Sequence, residues 1–348
     1  MYAYLLQKKE EADISLASTT SNSRVIDEAS AAMTPVNPKK SQLYLLAVIL
    51  AVTIPTVSLF ARDFINDKVQ FLDDVKSKTA VPILGELIHN ETDDILVISE
   101  KSRTAISELF RLIRTNLEFV SQGKKQQTYL VTSSMSGEGK TFFAINLGAI
   151  LALSNKKVVV LEFDIRRPKI FENLDIVPSK TGITKYLVNY DVNPMDLVEP
   201  YAKVPNMYLI SAGPMPPNPA ELLLSPRIKE LFDELKKNFD VIIIDSSPIG
   251  QVADGFSLAQ FVDASLYMVR YNYTYKQQVQ IFNDIKQNHK MPNLMLIMND
   301  AKKENTQSYG YGYGYGYGYG YGYGYGYANE DEVIKKGIVN KLKKRLKK

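Results

Sequence analysis

The sequence predicts an α/β fold with a doubly wound, mostly parallel sheet, and three apolar runs support this prediction. The runs are Tyr129–Val131, Lys157–Phe163 and Phe239–Asp245. Near-continuous apolar strands are typical of parallel sheets, because helices cover both faces of such sheets. Ala264–Val269 and Leu294–Met298 are predicted as two further strands. A helix-prone segment follows the first run after a short loop, as the alternation of strands and helices in this fold class requires.

The loop between the first strand and the helix-prone segment is suited to binding phosphate. The stretch Thr128–Thr141 (TYLVTSSMSGEGKT) matches G-x-x-x-x-G-K-[ST] except that Ser134 stands at the first glycine. Glycines let N–H groups turn around an anion, Lys140 can reach the β- and γ-phosphates, and the Thr141 hydroxyl can ligate Mg²⁺. We therefore expect ATP and Mg²⁺ as cofactors, the alternative being an ordinary turn that contains Gly-Lys-Thr. The predicted nucleotide-binding residues of this loop are Ser136, Gly137, Glu138, Gly139, Lys140, Thr141 and Phe142.

Acidic side chains stand at the ends of two other predicted strands. Glu162 and Asp164 close the second apolar run, and Asp245 closes the third in the pattern typical of a Walker B strand. Carboxylates at the carboxyl ends of parallel strands face the ligand crevice, and an aspartate there can hold Mg²⁺ directly or through water. A turn-capping role is the alternative for Asp164. The predicted catalytic residues are Lys140, Glu162, Asp164 and Asp245, and the predicted metal ligands are Thr141, Asp164 and Asp245.

An uncharged segment near the N-terminus predicts a membrane helix. Leu43–Ala61 comprises 19 residues without a charge, which is long enough for one transmembrane helix. A buried core helix is the alternative. Basic residues flank both ends, so they do not decide the orientation. The nucleotide-binding loop does, because nucleotide is cytoplasmic, and we therefore expect residues 1–40 to form a short extracytoplasmic segment.

Residues 62–97 are predicted to connect the membrane helix to a nucleotide-binding domain at residues 98–308. The connector contains a strand-like element, Val81–Ile88, and the domain opens with an amphipathic helix at about Lys101–Val120. Three charged residues recur at i, i+3 and i+6 near one face of that helix: Glu108, Arg111 and Arg114. A contact between subunits is the sharper interpretation of this triad, and a solvated charged face is the alternative.

Two low-complexity segments close the chain. Residues 309–327 alternate tyrosine and glycine, and so much glycine does not offset the ordering entropy of a strand, which predicts a disordered tail. Its ten tyrosines are Tyr309, Tyr311, Tyr313, Tyr315, Tyr317, Tyr319, Tyr321, Tyr323, Tyr325 and Tyr327. In residues 328–348, apolar side chains recur every fourth position among eight Lys and Arg residues. This pattern predicts a basic amphipathic helix suited to an anionic lipid surface, with a solubilising tail as the alternative.

The composition argues against several classes of function. The formal net charge of +4 is concentrated in that basic C-terminal segment, so the rest of the chain is mildly acidic and we expect no nucleic-acid partner. The chain contains no cysteine, which excludes disulfides and thiolate metal sites. His89 and His289 are isolated in the sequence, and we do not expect either to bind a metal.

The ordered set of motifs resembles the bacterial tyrosine kinases (BY-kinases) of the capsular and exopolysaccharide co-polymerase family. The motifs are TSSMSGEGKT, LEFDIRRP, VIIIDSSP, ELFRLIRTN, PPNPAELL and the tyrosine cluster, and the resemblance covers roughly residues 1–327. Glu162 stands where the family usually has an aspartate. The resemblance implies that residues 1–40 end an extracytoplasmic domain, that Asn299 contacts adenine, and that the triad at Glu108 packs subunits into a ring-like homo-oligomer.

The resemblance also implies a function at the bacterial inner membrane. It implies ATP-dependent autophosphorylation of the tyrosine cluster by a cytoplasmic kinase domain. The implied partners are the polysaccharide export machinery, a protein tyrosine phosphatase and membrane lipid. Regulation of polysaccharide export or chain length would follow from these contacts.

A mechanism follows for a membrane-attached tyrosine kinase whose tail supplies the nucleophile. Lys140, the loop amides and Mg²⁺ would neutralise the transferred phosphate, and Glu162 or Asp164 would orient or deprotonate the tyrosine hydroxyl. A tail of this length can extend roughly 60 Å, so we expect transfer between subunits. Two alternatives remain: a P-loop ATPase switch that controls oligomerisation without kinase activity, and a scaffold with an adhesive Tyr-Gly tail.

Overall fold

The computed structural model describes residues 1–18, 39–120, 126–179 and 181–302, and the chain divides into two compact units, Met1–Asp67 and Lys68–Lys348. The first unit contains helices α1 (Tyr2–Ser18) and α2 (Lys40–Ile65). The segment Lys40–Ser58 of α2 is long and apolar enough to cross a membrane. The predicted tyrosine tail and basic C-terminal segment lie outside the described residues.

The second unit alternates strands and helices. Its strands are β1 (Ile83–Ile88), β2 (Gln127–Ser133), β3 (Val158–Glu162), β4 (Glu199–Pro200), β5 (Met207–Ile210), β6 (Val241–Asp245), β7 (Ala264–Arg270) and β8 (Leu294–Ala301). Its α-helices are α3 (Asp73–Lys76), α4 (Ala105–Val120), α5 (Lys140–Ala152), α6 (Ile170–Asn173), α7 (Ile183–Val188), α8 (Pro219–Leu222), α9 (Arg227–Asn238), α10 (Asp254–Leu258) and α11 (Val279–Gln287). Short 3₁₀ turns occur at Pro194–Leu197, Ala259–Phe261 and Lys276–Gln278.

These strands form one eight-stranded sheet in the order β1-β8-β7-β2-β6-β3-β5-β4. All neighbouring strands are parallel except β4 and β5, which are antiparallel. Strand β2 lies between β6 and β7, so the chain is wound outwards from β2 in both directions. This is the doubly wound, mostly parallel sheet predicted from the sequence, and the five predicted strands are all present in it.

Helices cover both faces of the sheet. In β2, Tyr129 and Val131 pack into a core that includes residues of α4 and α5, whereas Leu130 packs into a second core with residues of α9 and α11. Successive residues of a strand point to opposite faces. Because both faces are buried, the central strands are apolar at nearly every position, which is the pattern seen in the sequence.

The connector contributes an edge strand to this sheet. Strand β1 pairs with β8, and α4 packs closely against β1 because Gly85 has no side chain: a Cβ there would lie 2.4 Å from Ile113 Cγ1. On the same helix, Asn116 Nδ2 donates a hydrogen bond to Leu84 O at 2.8 Å. The compact unit thus begins at Lys68, whereas the sequence suggested a boundary near residue 98.

The residues that precede β1 are also bonded to the sheet unit. Val69 N donates to Thr274 O at 2.8 Å, and Asn272 N donates to Val69 O at 2.7 Å. Lys276 Nζ lies 2.8 Å from Asp74 Oδ1. These contacts join the connector to the loop between β7 and α11, a loop that also reaches the candidate functional site.

Candidate functional site

The predicted site residues meet at the carboxyl end of the sheet. Strands β2, β3 and β6 are adjacent, and Asp245 is in register with both Val131 and Glu162. The loop after β2 leads into α5, which begins at Lys140. Because parallel strands end at the same edge, the loop after β2 and the acids that end β3 and β6 surround one crevice.

The loop between β2 and α5 has the backbone conformation of an anion-binding turn. Gly137 and Gly139 have φ values of 87° and 98°, in the left-handed region that glycine adopts without strain. Gly139 also caps the N-terminus of α5, where helix N–H groups favour an anion. Ser134, at the position of the first glycine, is buried and shares a 2.8 Å hydrogen bond with the Tyr267 hydroxyl of β7. A serine is therefore accommodated at this position by a polar partner on the neighbouring strand.

Lys140 is a buried cation in this crevice. Its side chain is 7% exposed, and its Nζ donates to Ser133 Oγ at 3.1 Å. Burial lowers the pKa of Lys140, and the charges of Asp245, Asp164 and Glu138 act in the opposite direction. The surrounding carboxylates thus favour the charged ammonium group, which is suited to contact an anionic phosphate.

Thr141 and Asp245 form a hydrogen-bonded pair beside Lys140. Thr141 Oγ1 donates to Asp245 Oδ2 at 2.7 Å. Burial raises the pKa of Asp245 to about 7, against the opposing effects of the Thr141 hydrogen bond and the Lys140 charge. Asp245 Oδ1 is buried and has no hydrogen-bond partner among the residues that the structure describes. A buried oxygen without a partner is costly, and a divalent cation would satisfy it.

The donor atoms in the crevice fit Mg²⁺. Besides Thr141 and Asp245, Asp164 is near enough for its charge to act on Lys140 and Asp245. Its Oδ1 accepts hydrogen bonds from Ser247 Oγ at 2.9 Å and Arg167 N at 3.2 Å. Mg²⁺ prefers hard oxygen ligands and is usually held by one or two carboxylates together with phosphate oxygens and water. A hydroxyl and two carboxylates next to a phosphate loop match this preference.

Glu162 is placed differently from the other two acids. It is buried, its Oε1 accepts a hydrogen bond from Ile170 N at 2.6 Å, and its Oε2 accepts one from Ala212 N at 3.2 Å. Burial raises the pKa of Glu162, and these backbone N–H groups oppose the increase. Both carboxylate oxygens therefore hold neighbouring backbone segments, which leaves Asp164 better placed to meet a substrate hydroxyl.

Two other predicted nucleotide contacts bond to the phosphate loop itself. The Glu138 carboxylate is buried and accepts hydrogen bonds from Met135 N, at 2.7 Å, and from the Thr274 hydroxyl. Burial raises the pKa of Glu138, and these hydrogen bonds oppose the increase. Asn299, near the end of β8, donates from Nδ2 to Glu138 O at 2.9 Å. The side chain that the resemblance assigns to adenine thus contacts the loop backbone.

The structure brings further residues to the loop that the sequence analysis missed. They are Tyr267, Arg270, Tyr273 and Thr274, and all lie in β7 or directly after it. They lie more than 100 residues from the loop along the chain, so local sequence patterns do not indicate the contact. The available signal was their position at the carboxyl end of a predicted strand that neighbours β2 in the sheet.

The charged triad of α4 makes contacts within its own helix and with the turn before it. Arg111 pairs with Glu108 on the same helix and donates from Nη2 to Ser102 O at 2.7 Å. Arg114 is half-buried, and Phe119 near the end of the helix is 78% exposed. The contact between subunits that the triad suggests remains a prediction.

Two family models match the chain. The CobQ/CobB/MinD/ParA nucleotide-binding domain matches residues 129–311, which contain the phosphate loop and all three acids. The GNVR model, which describes a G-rich domain, matches residues 1–64. The GNVR match and the candidate membrane helix are both features of an inner-membrane protein.

Several curated relatives are tyrosine-protein kinases. The tyrosine-protein kinase YwqD of Bacillus subtilis is 34% identical over 204 residues, which are 59% of this chain and 85% of YwqD. The tyrosine-protein kinase Etk of Escherichia coli K12 is 27% identical over 303 residues, covering 81% of this chain and 41% of Etk. The tyrosine-protein kinase Ptk of Acinetobacter johnsonii is 28% identical over 296 residues, covering 81% of this chain and 40% of Ptk. This chain therefore spans less than half the length of Etk and Ptk.

Solved structures agree with the fold. The chimeric protein CapA2B2 superposes with a TM-score of 0.60 at 27% identity, over 67% of this chain and all of CapA2B2. The kinase domain of E. coli Etk superposes with a TM-score of 0.60 at 22% identity, over 74% of this chain and all of that domain. At this identity, the second likeness concerns the fold alone.

Proposed function

This chain belongs to the family of bacterial tyrosine kinases that carry the CobQ/CobB/MinD/ParA nucleotide-binding domain, and we propose that it transfers the γ-phosphoryl group of ATP to tyrosine. The observation that carries the proposal is the crevice in which buried Lys140 lies beside the hydrogen-bonded pair of Thr141 and Asp245. Phosphoryl transfer depends mainly on positioning and charge neutralisation. The crevice provides both, and the tyrosine cluster of the same chain provides acceptors.

Each residue of the crevice has a separate task in this proposal. The loop amides and Lys140 bind the β- and γ-phosphates, and Thr141, Asp164 and Asp245 hold Mg²⁺, which supplies charge neutralisation on the phosphate oxygens. Asp164 orients the tyrosine hydroxyl and accepts its proton. Glu162 fixes the backbone at Ile170 and Ala212 through its two hydrogen bonds.

The tyrosine tail at residues 309–327 is the proposed substrate segment. As a glycine-rich coil its ends lie about 25 Å apart on average, which allows a tail to enter the site of a neighbouring subunit. We test transfer between subunits by mixing a Lys140→Met chain that has its tail with an active chain that ends at Ser308. Phosphotyrosine on the Lys140→Met chain is the expected result, and its absence would contradict transfer between subunits.

The family match supports a cellular setting for this proposal. The kinase domain lies on the cytoplasmic side of the inner membrane, anchored by α2, and residues 1–40 lie outside. A Klebsiella pneumoniae relative, 27% identical over 326 residues, comes from a cps region, which supports action with polysaccharide export machinery. A ring-like homo-oligomer packed through α4, a tyrosine phosphatase and anionic lipid are the other proposed partners.

Anti-phosphotyrosine signal after incubation with ATP and Mg²⁺ tests the activity directly. The intact chain is expected to become phosphorylated, whereas Lys140→Met and a chain that ends at Ser308 are not. ATP hydrolysis that depends on Lys140, without any phosphotyrosine, would instead indicate an ATPase switch. Neither activity in the intact chain would indicate a scaffold.

A further inference from the structure

Three side chains hold three successive carbonyl groups of the phosphate loop. The Tyr273 hydroxyl donates to Ser136 O at 2.8 Å, Arg270 Nη1 donates to Gly137 O at 2.8 Å, and Asn299 Nδ2 donates to Glu138 O at 2.9 Å. The donors come from the carboxyl ends of β7 and β8 and from the loop after β7. We call Arg270, Tyr273 and Asn299 the carbonyl clamp.

The geometry of the peptide bond gives the carbonyl clamp a consequence for phosphate binding. In a trans peptide, the C=O of one residue and the N–H of the next point in opposite directions. Holding the carbonyls of residues 136, 137 and 138 on one side therefore turns the N–H groups of Gly137, Glu138 and Gly139 to the other side. These are the amides that a phosphate-binding loop presents to its anion.

Neighbouring contacts fix the clamp residues in turn. Arg270 Nε lies 2.9 Å from Asp300 Oδ2, and the Arg270 guanidinium lies 5.2 Å from the centre of the Tyr273 ring. The Thr274 hydroxyl accepts a hydrogen bond from Arg270 N at 2.9 Å and donates one to the buried Glu138 carboxylate. The clamp is thus a rigid support whose donors are already directed at the loop.

We propose that Arg270, Tyr273 and Asn299 are positioning residues that preorganise the amides of the phosphate loop for the β- and γ-phosphates of the nucleotide. The inference rests on the proposed function, in that the loop binds ATP. It assigns Asn299 to the loop backbone, whereas the family resemblance assigns it to adenine. The two assignments differ in what they predict for the base of the nucleotide.

The test compares the affinities of ADP and GDP for the full chain and for two variants, by calorimetry with Mg²⁺ present. Tyr273→Phe and Asn299→Ala each remove one hydrogen-bond donor. Each variant is therefore expected to bind ADP and GDP more weakly by the same factor, about three- to tenfold, which is the effect of losing one hydrogen bond. In kinase assays we expect the KM for ATP to rise, whereas kcat at saturating ATP should stay within about twofold of the value for the unaltered chain. The melting temperature of the nucleotide-free protein is expected to fall by at most about 4 °C, because losing one hydrogen bond also destabilises the folded state slightly.

Tyr201→Phe is the matched control. The Tyr201 hydroxyl is buried and has no hydrogen-bond partner among the described residues. Tyr201 directly follows β4, the edge strand at the end of the sheet far from β8. This variant loses the same atom as Tyr273→Phe and is expected to bind ADP as the unaltered chain does.

Several outcomes would overturn the inference. Unchanged ADP affinity in both variants would contradict it. A larger loss of affinity for ADP than for GDP in Asn299→Ala would also contradict it, because that result would place Asn299 on adenine. Absence of ADP binding by the unaltered chain would contradict both the clamp and the proposed function. ADP binding that the variants weaken, without phosphotyrosine formation by the unaltered chain, would support the clamp and contradict only the kinase activity.

Discussion

Glu162 and Asp164 are separated by one residue, yet their surroundings give them different chemistry. Glu162 is buried with two backbone N–H donors, one on each oxygen. Asp164 accepts from Ser247 and from a backbone N–H through the same oxygen, Oδ1. Two carboxylates at the end of one strand can thus serve as a structural acceptor and as a catalytic group, because a general base needs an oxygen that reaches the substrate.

A pair of amide variants separates these two roles. Glu162→Gln places an NH₂ group against a backbone N–H, and we expect the free energy of unfolding to fall by about 1–3 kcal/mol, with most of the activity kept by the folded protein. Asp164→Asn keeps an acceptor for Ser247, so we expect a stability change within about 0.5 kcal/mol and a fall in kcat of at least about 100-fold. Urea unfolding and initial rates of phosphotyrosine formation measure both. An inactive Glu162→Gln chain of unchanged stability would reverse the assignment.

Asp245 makes the stability of the metal-free protein depend on pH. Its folded-state pKa is about 7, whereas an aspartate in the unfolded chain titrates near pH 4, roughly. Between these values the folded state binds more protons than the unfolded state, so stability falls as the pH rises from about 4 to about 7, by up to about 4 kcal/mol. Urea unfolding in a chelator at several pH values measures this slope. Asp245→Asn should lose it, and an equal slope in both proteins would contradict the prediction.

At the scale of secondary-structure elements, α4 and β1 pack closely against each other. Gly85 lets Ile113 lie directly on the strand backbone, and Asn116 bonds to the carbonyl of Leu84. Asn146 of α5 also holds the connector, since its side chain donates a hydrogen bond to Ile95 O and accepts one from Val97 N. Buried polar side chains thus hold the connector on the helical layer.

Gly85→Ala tests the contact between α4 and β1. The added methyl group would overlap Ile113, and overpacking of this kind costs about 1–3 kcal/mol. Thermal or urea unfolding measures the loss. In an Ile113→Ala background the space is vacated, so the same substitution should cost less there. Equal costs in both backgrounds would show that the two residues do not interact.

The elements also differ in how far the sequence predicts them. Strands β2, β3, β6, β7 and β8 are apolar runs buried on both faces, so their composition alone identifies them. The segment between Asp164 and Arg227 has no comparable apolar runs, yet it contains β4, β5 and three short α-helices. The four apolar residues of β5 are too short a run to distinguish a strand from a loop, and β5 is fixed by pairing with β3.

The site shows the same limit for a different reason. Lys140, Thr141 and Asp245 follow from local motifs, because a phosphate loop and an acid-terminated strand each have a sequence signature. Arg270 and Tyr273 have no such signature. Their role depends on β7 being the neighbour of β2, which is a property of strand order that local spacing does not encode.

At the scale of the whole molecule, the sheet unit extends from Lys68, and β1 protects one of its edges. A chain that begins at residue 98 lacks β1 and leaves β8 as an open parallel edge, and exposed apolar edges promote aggregation. We expect that chain to melt about 10 °C lower and to aggregate, as measured by thermal unfolding and size-exclusion chromatography. A chain that begins at residue 78 keeps β1 and is the control. Equal behaviour of the two chains would contradict a structural role for β1.

The strand order also determines when the parts of the site become available during synthesis. Strand β2 is complete at residue 133, but its neighbours β6 and β7 come more than 100 residues later, and the carbonyl clamp is complete only at Asn299. At about 5–20 residues per second, the ribosome needs roughly 10–30 s to cover that distance. A nascent chain therefore carries its phosphate loop without support while α2, made long before, is already available to the membrane. It follows that the candidate membrane segment of α2 is synthesised before the loop that we propose to bind ATP gains the support of the carbonyl clamp.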